Sequence, residues 1–203
     1  MEKFQRLDAV ALPVAVANVD TDQVTPARFL WRPRRDGYAK ILFHDLRFDD
    51  AGAEKPGFIL NRPEYRDAKI LVAERNFGCG SSREHAVWAL HDYGFRAVIA
   101  PSFGDIFFNN SFKHGLLPVV LPEPRVKDIL AALAASPGAR MTVDLEAQKV
   151  VGPDGVTDSF AIDPFRKRLL LEGLDDIGFT LGHQDEIAAF ERAYERELPW
   201  IQA

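Results

Sequence analysis

Short apolar runs alternate with amphipathic segments from Lys69 onward. Lys69–Ala73 (Lys-Ile-Leu-Val-Ala), Ala97–Ala100 (Ala-Val-Ile-Ala) and Leu116–Leu121 are too short for helices and rich in branched residues, so they read as buried strands. Between and after them lie segments of helical period. These run from about Ser82 to Tyr93, closed by Gly94, from about Gly104 to His114, closed by Gly115, and from Pro124 to Ala135. The order βαβαβα predicts an α/β fold with a mostly parallel central sheet.

The flanks differ. Residues 9–19 alternate alanine and valine and read as a strand. Asp20-Thr21-Asp22 breaks that run and can cap a short helix beginning near Gln23. Residues 31–67 carry Pro33, Gly37, Gly52, Pro56, Gly57 and Pro63 among charges. They read as a long, partly ordered excursion with a short helix near Gly37–Asp45. Beyond the third helix, Met141–Val151 and Val156–Ile162 read as strands around the hairpin turn Gly152-Pro153-Asp154-Gly155. Helices follow at 164–173, with Pro164 in the first turn, and at 184–197. The length of 203 residues fits one domain spanning 1–203.

Composition narrows the classes. A hydrophobic content of 47% is ample for a packed core, and a net charge of −5 leaves no nucleic-acid footprint. Basic residues do gather at Arg28, Arg32, Arg34 and Arg35, either as a solvated loop or as a patch facing an acidic substrate or partner. No apolar stretch approaches the roughly 20 residues that span a bilayer, and the N-terminus has no signal-peptide pattern. A cytoplasmic location without membrane contact is expected. One cysteine allows no internal disulfide and no thiolate-built zinc or iron–sulfur site, so no metal is expected on this chain.

The stretch Asn76-Phe-Gly-Cys-Gly-Ser-Ser-Arg-Glu-His-Ala86 carries the chemistry. It joins a buried strand to a helix start through a glycine-rich turn, where free backbone amides favour an anion. Ser81 and Glu84 have capping-box spacing, which explains them structurally. Capping does not explain Gly78 and Gly80, nor an arginine in a helical first turn, where its charge opposes the helix dipole. Arg83 there points to a carboxylate or phosphate ligand. The dinucleotide loop is excluded because Arg83 stands where the third glycine belongs and no acidic residue follows at the next strand end. No Gly-Lys-Ser/Thr phosphate loop is present. Cys79 near a helix N-terminus is either a nucleophile or, more simply, a small residue of a tight turn. His44, His85, His91, His114 and His183 read as packing or surface residues.

Two further motifs flank this one: Asn18-Val-Asp-Thr-Asp-Gln-Val-Thr-Pro26, and Pro101-Ser-Phe-Gly-Asp-Ile-Phe-Phe-Asn-Asn-Ser-Phe-Lys-His-Gly-Leu-Leu-Pro118. With Phe58–Pro63 and Gly173–Thr180 they resemble the small-subunit family of isopropylmalate dehydratases, which corresponds to the swivelling last domain of aconitase. The resemblance covers nearly the whole chain. It implies a three-layer β/β/α swivelling fold and a heterodimer with a large subunit that carries a [4Fe–4S] cluster. It also implies a small dicarboxylate substrate. Carried over residue by residue, it makes Ser81 the base that takes a proton from carbon, Arg83 a carboxylate ligand and Asp22 an active-site carboxylate. Gly80 and Ser82 complete the anion site. Arg28 and Arg32 are the candidates for a further substrate arginine, and Phe29, Leu30 and Trp31 either meet an isopropyl group or pack the fold or subunit interface. Asn110 and Lys113 read as scaffold. Alternatives within the family are homoaconitase and citraconate or dimethylmalate dehydratase. Outside it stands a non-catalytic anion-binding module.

Overall fold

Four of the apolar runs lie side by side. Strands β1 (Arg6–Val14), β2 (Ile70–Ala73), β3 (Ala97–Ala100) and β4 (Leu117–Val120) pair in parallel in the spatial order β4-β3-β2-β1. The computed structural model describes residues 1–198 and 200. β2 and β3 are buried at every position, as strands covered on both faces must be. Leu71, Ala73, Val98 and Ala100 face one core, while Ile70, Val72, Ala97 and Ile99 face the other. That alternation follows from the two-residue period of a strand.

The sheet continues from β1 into an antiparallel extension, β5 (Arg140–Asp144), β6 (Lys149–Val151) and β7 (Thr157–Ser159), giving a seven-stranded mixed sheet. The expected single strand Met141–Val151 is therefore two. Asp144 accepts from the Ala147 N–H at 2.8 Å and Gln148 adopts φ 53°, a local turn that apolar patterning does not register. β1 starts at Arg6, earlier than expected, because Arg6–Val10 pair with β5. It stops at Val14, where the Val16 N–H turns back onto the Val14 carbonyl at 2.8 Å and Asn18 follows at φ 57°.

Helices α1 (Thr21–Val24) and α2 (His44–Arg47) precede β2. α3 (Glu84–Tyr93), α4 (Asp105–Lys113) and α5 (Glu123–Ala135) are the crossover and following helices. α3 packs in the first core and α5 in the second. Arg125 of α5 donates to Asp158 at 2.6 Å and to Asp154, fastening the β6–β7 hairpin over it. α6 (Pro164–Glu172) and α8 (Gln184–Glu197) match expectation. α7 (Asp176–Leu181) does not. Its cap, Asp175, accepts from the Gly178 N–H at 2.7 Å.

The excursion is folded into the core. Tyr38, Ile41, Leu42, Phe43, Leu60 and Tyr65 are buried. Its helix is α2 rather than Gly37–Asp45. Gly37 (φ 78°) closes a 3₁₀ turn over Arg34–Asp36, and Phe43 (φ 51°) interrupts helical continuity. Buried Arg47 holds the segment. Its Nε donates to Asn61 Oδ1 at 3.2 Å and its Nη1 to the Ala39 carbonyl at 3.2 Å. Asn61 Nδ2 donates to the carbonyls of Arg47 (2.8 Å) and Lys55 (2.9 Å). Burial draws the Arg47 pKa below its ordinary value. Asn61→Ala would leave the buried Arg47 Nε without its partner and remove the amide bonds that tie the Arg47 and Lys55 carbonyls together. A loss of about 2–3 kcal/mol in urea or thermal unfolding is expected, and wild-type stability would contradict this account.

Candidate functional site

The loops that leave β1, β2 and β3 meet at the carboxyl edge of the parallel strands, where open α/β sheets place their ligands. The middle loop is threaded between the other two. The Gly78 N–H donates to Val19 O at 2.7 Å, and the Thr21 N–H donates to Cys79 O at 2.9 Å. On the other side, the Phe77 N–H donates to Ser102 O at 3.1 Å and the Gly104 N–H to Phe77 O at 2.9 Å. Asn76 Nδ2 donates to Asn18 Oδ1 at 2.9 Å. Gly78 sits at φ +71°, and a Cβ there would lie 2.3 Å from the Phe107 ring. A Cβ at Gly104 would lie 2.5 Å from the Gly78 carbonyl. Both glycines are thus required by close approach.

Asp22, Ser81 and Arg83 come together above this seam. The Arg83 guanidinium pairs with the Asp22 carboxylate, and its Nη2 lies 3.4 Å from Ser81 Oγ. Arg83 is only 15% exposed and Asp22 is 51% exposed, so the positive partner is the fixed one. Ser81 and Ser82 are exposed, and Gly80 (φ +90°) turns the chain beside Asp20. The expected capping box at Ser81–Glu84 is not formed. α3 begins at Glu84, Arg83 occupies the N-cap position, and no side chain caps it. The capping box lies instead on α1. There Asp20 Oδ1 accepts from the Gln23 N–H at 2.7 Å, and Gln23 Oε1 accepts from the Asp20 N–H at 3.0 Å. α1 accordingly starts at Thr21, not near Gln23.

Thr21 is a site residue that sequence reasoning missed. It is buried, and its Oγ1 donates to the Ser81 carbonyl at 3.0 Å. Its only sequence signal was its place in the Asn18–Pro26 motif. Cys79 is half-buried and contributes its carbonyl to the loop seam. His85 packs on Trp88 (4.5 Å between centroids) and Tyr38 (5.6 Å), and burial lowers its pKa.

The basic cluster disperses rather than forming one patch. Arg28 forks onto Asp45 and, aided by His44, holds that carboxyl down at about 2. Arg34 donates to Asp92 Oδ1 at 3.1 Å and to His114 Nδ1 at 3.2 Å. Arg32 is half-buried, with its carbonyl accepting from the Tyr38 hydroxyl at 2.7 Å. Among the described residues no hydrogen bond joins Arg28 or Arg32 to Ser81–Arg83. Phe29 packs on the first core and on His44, while Trp31 is 80% exposed. The loop between them is held from beneath: the Tyr38 hydroxyl donates to the carbonyls of Phe29 (3.2 Å) and Arg32.

A largely buried guanidinium and a helix N-terminus beside an exposed serine hydroxyl make a candidate site, chemically able to receive a carboxylate with a hydroxyl next to it. Among the described residues no group of His, Cys, Asp and Glu converges as a metal site, and no helix is long and apolar enough to cross a membrane.

Residues 1–124 match the Aconitase C-terminal domain family and 127–164 match LeuD_N. Residues 176–203 match the C-terminal domain of the 3-isopropylmalate dehydratase small subunit. The 3-isopropylmalate dehydratase small subunit of Rhodospirillum centenum is 56% identical over 98% of both chains. That of Paramagnetospirillum magneticum is 54% identical over 99% of this chain and 100% of its own. Among solved structures, a 3-isopropylmalate dehydratase (leuD) from Methanocaldococcus jannaschii superposes with a TM-score of 0.66. It is 26% identical, over 92% of this chain and 99% of that one. The chain belongs to the 3-isopropylmalate dehydratase small-subunit family, and its α/β fold is that of the aconitase C-terminal domain.

Gly78→Ala should cost at least about 2 kcal/mol, combining positive-φ strain with overpacking against Phe107. Urea unfolding checks this, and a change below about 0.5 kcal/mol would show that the loop seam is not tight.

Proposed function

We propose that this chain is the small subunit of a 3-isopropylmalate dehydratase. It would interconvert 2- and 3-isopropylmalate by loss and re-addition of water in leucine biosynthesis. The convergence of Ser81, Arg83 and Asp22 at one exposed mouth above the parallel strands carries this reading. The reaction removes a proton from one carbon and hydroxide from its neighbour, giving an alkene dicarboxylate, and then restores both in the opposite sense. It needs a base at the C–H, a Lewis or Brønsted acid at the hydroxyl and anchors for two carboxylates.

Ser81 Oγ is the proposed base for the proton. A hydroxyl is a weak base unless its deprotonated form is stabilised. Arg83 Nη2 at 3.4 Å and the N-terminus of α3 supply positive potential where that charge develops. Arg83 presents a planar fork to one substrate carboxylate. In the free chain Asp22 occupies that fork. Asp22 is the exposed partner, so an arriving carboxylate can take its place. Gly80 and Ser82 line the same turn, and Arg28 and Arg32 remain the candidates for the second carboxylate.

A single cysteine cannot supply the thiolates of a [4Fe–4S] cluster, so the cluster is assigned to the large subunit, where it would provide the Lewis acid for the hydroxyl. Exposed Ile177, Leu181 and Phe190 on α7 and α8 support docking of that large subunit on the C-terminal helices. The lone thiol suits a reducing, cytoplasmic setting.

The test is reconstitution with the cluster-bearing large subunit. Isopropylmalate should be isomerised, and Ser81→Ala should lower kcat by about 10³-fold while the pair still assembles. Arg83→Lys should lower kcat/KM by roughly 10–100-fold. Equal turnover of homocitrate-type substrates would overturn the substrate assignment, and near-wild-type activity of Ser81→Ala would overturn the base.

A further inference from the structure

α3 presents the catalytic turn, yet no side chain caps its N-terminus, so something else must hold it in place. Its first residue, Glu84, reaches across to α4, where Glu84 Oε1 lies 2.5 Å from Nε2 of His114, the residue that ends that helix. The other ring nitrogen of His114, Nδ1, receives Arg34 Nη1 at 3.2 Å. Arg34 also donates to Asp92 Oδ1 at 3.1 Å, near the far end of α3, and stacks over Trp88 at 5.4 Å. Asp92 Oδ2 in turn accepts from the Tyr38 N–H at 3.2 Å. The circuit therefore touches both ends of α3, the end of α4 and the excursion.

The partners define the ring's role. Arginine only donates, so Nδ1 must accept and Nε2 carries the hydrogen that Glu84 accepts. The opposite tautomer would satisfy only the Trp88 indole N–H, 3.1 Å from Nε2, and would set a lone pair against the carboxylate and a hydrogen against the guanidinium. A neutral imidazole with Nε2–H satisfies two of its three neighbours.

We propose that Glu84, His114 and Arg34 form a positioning lock. It fixes the catalytic turn at Ser81–Arg83 against the segment carrying Phe29–Arg32, so that base, carboxylate anchor and substrate loop meet the substrate in one register. This rests on the roles given above to Ser81 and Arg83. None of the three lock residues is assigned contact with substrate.

His114→Phe keeps an aromatic ring against Trp88 and removes both nitrogen contacts, and Arg34→Met removes the other half. In the reconstituted enzyme each should lower kcat/KM by about tenfold, with KM raised and kcat lowered together. The double variant should be no worse than the poorer single one, and His114→Gln, which retains a donor and an acceptor, should recover to within about threefold. In the free full-length chain, the Gly78 and Thr21 amides, which hydrogen-bond across the turn, should exchange faster in His114→Phe and Arg34→Met but not in His114→Gln. Unchanged kinetics and exchange, or additive losses in the double variant, would overturn the lock. If His114→Phe fails to fold, Arg34→Met decides by the same readouts. If the wild-type pair does not turn over isopropylmalate, the substrate assignment falls, and exchange in the free chain still decides the lock.

Discussion

The constraint on which the rest depends is the backbone of Phe77–Gly80. This segment lies between two other loops, and Phe77 and Gly78 within it are buried away from water. Its hydrogen bonds must therefore come from those neighbours, and they do, from Val19 and Thr21 on one side and Ser102 and Gly104 on the other. The pairing works only because Gly78 and Gly104 have no side chains where their backbones cross. Once the seam is closed, Ser81 and Arg83 have one place to go, beside Asp22 at the start of α1.

Electrostatics then separates the local from the global. The chain carries a net charge of −5, yet its site is built around a largely buried arginine next to a helix N-terminus. The basic residues that look like one patch in the sequence have separate employments. Arg28 is tied to Asp45, and Arg34 to Asp92 and His114. Among the described residues, Arg83 is the arginine that hydrogen-bonds the serine hydroxyl. What remains is a candidate half-site with a guanidinium and a hydroxyl, in a chain whose single cysteine offers no thiolate set for a cluster. A second subunit fits that incompleteness, with exposed apolar side chains on the C-terminal helices available to receive it.

The β–α alternation between Lys69 and Ala135 was legible because fully buried strands and one-sided helices leave different apolar periods. The split of Met141–Val151 was not, since a single positive-φ residue, Gln148, reverses a chain whose hydrophobicity is unbroken. The glycines and prolines of the excursion make it look only partly ordered in the sequence. The burial of Tyr38, Ile41, Leu42 and Arg47 depends on partners distant in sequence. At the site, Ser81 and Arg83 were legible because an arginine beside a helix start conflicts with the dipole, but the capping box assigned to that serine belongs to Asp20 and Gln23. Spacing of this kind recurs, and only tertiary context chooses between the two. Asp22 entered through family resemblance. Thr21 and the Glu84–His114–Arg34 circuit join residues that no local pattern relates.

The most direct measurement is a crystal structure of the assembled two-subunit enzyme with isopropylmalate bound. Ser81 Oγ should lie within about 3–3.5 Å of the carbon that loses its proton, with the Arg83 fork on a substrate carboxylate and Asp22 displaced or sharing it. A substrate bound with Ser81 facing solvent and Arg83 still closed on Asp22 alone would contradict the account.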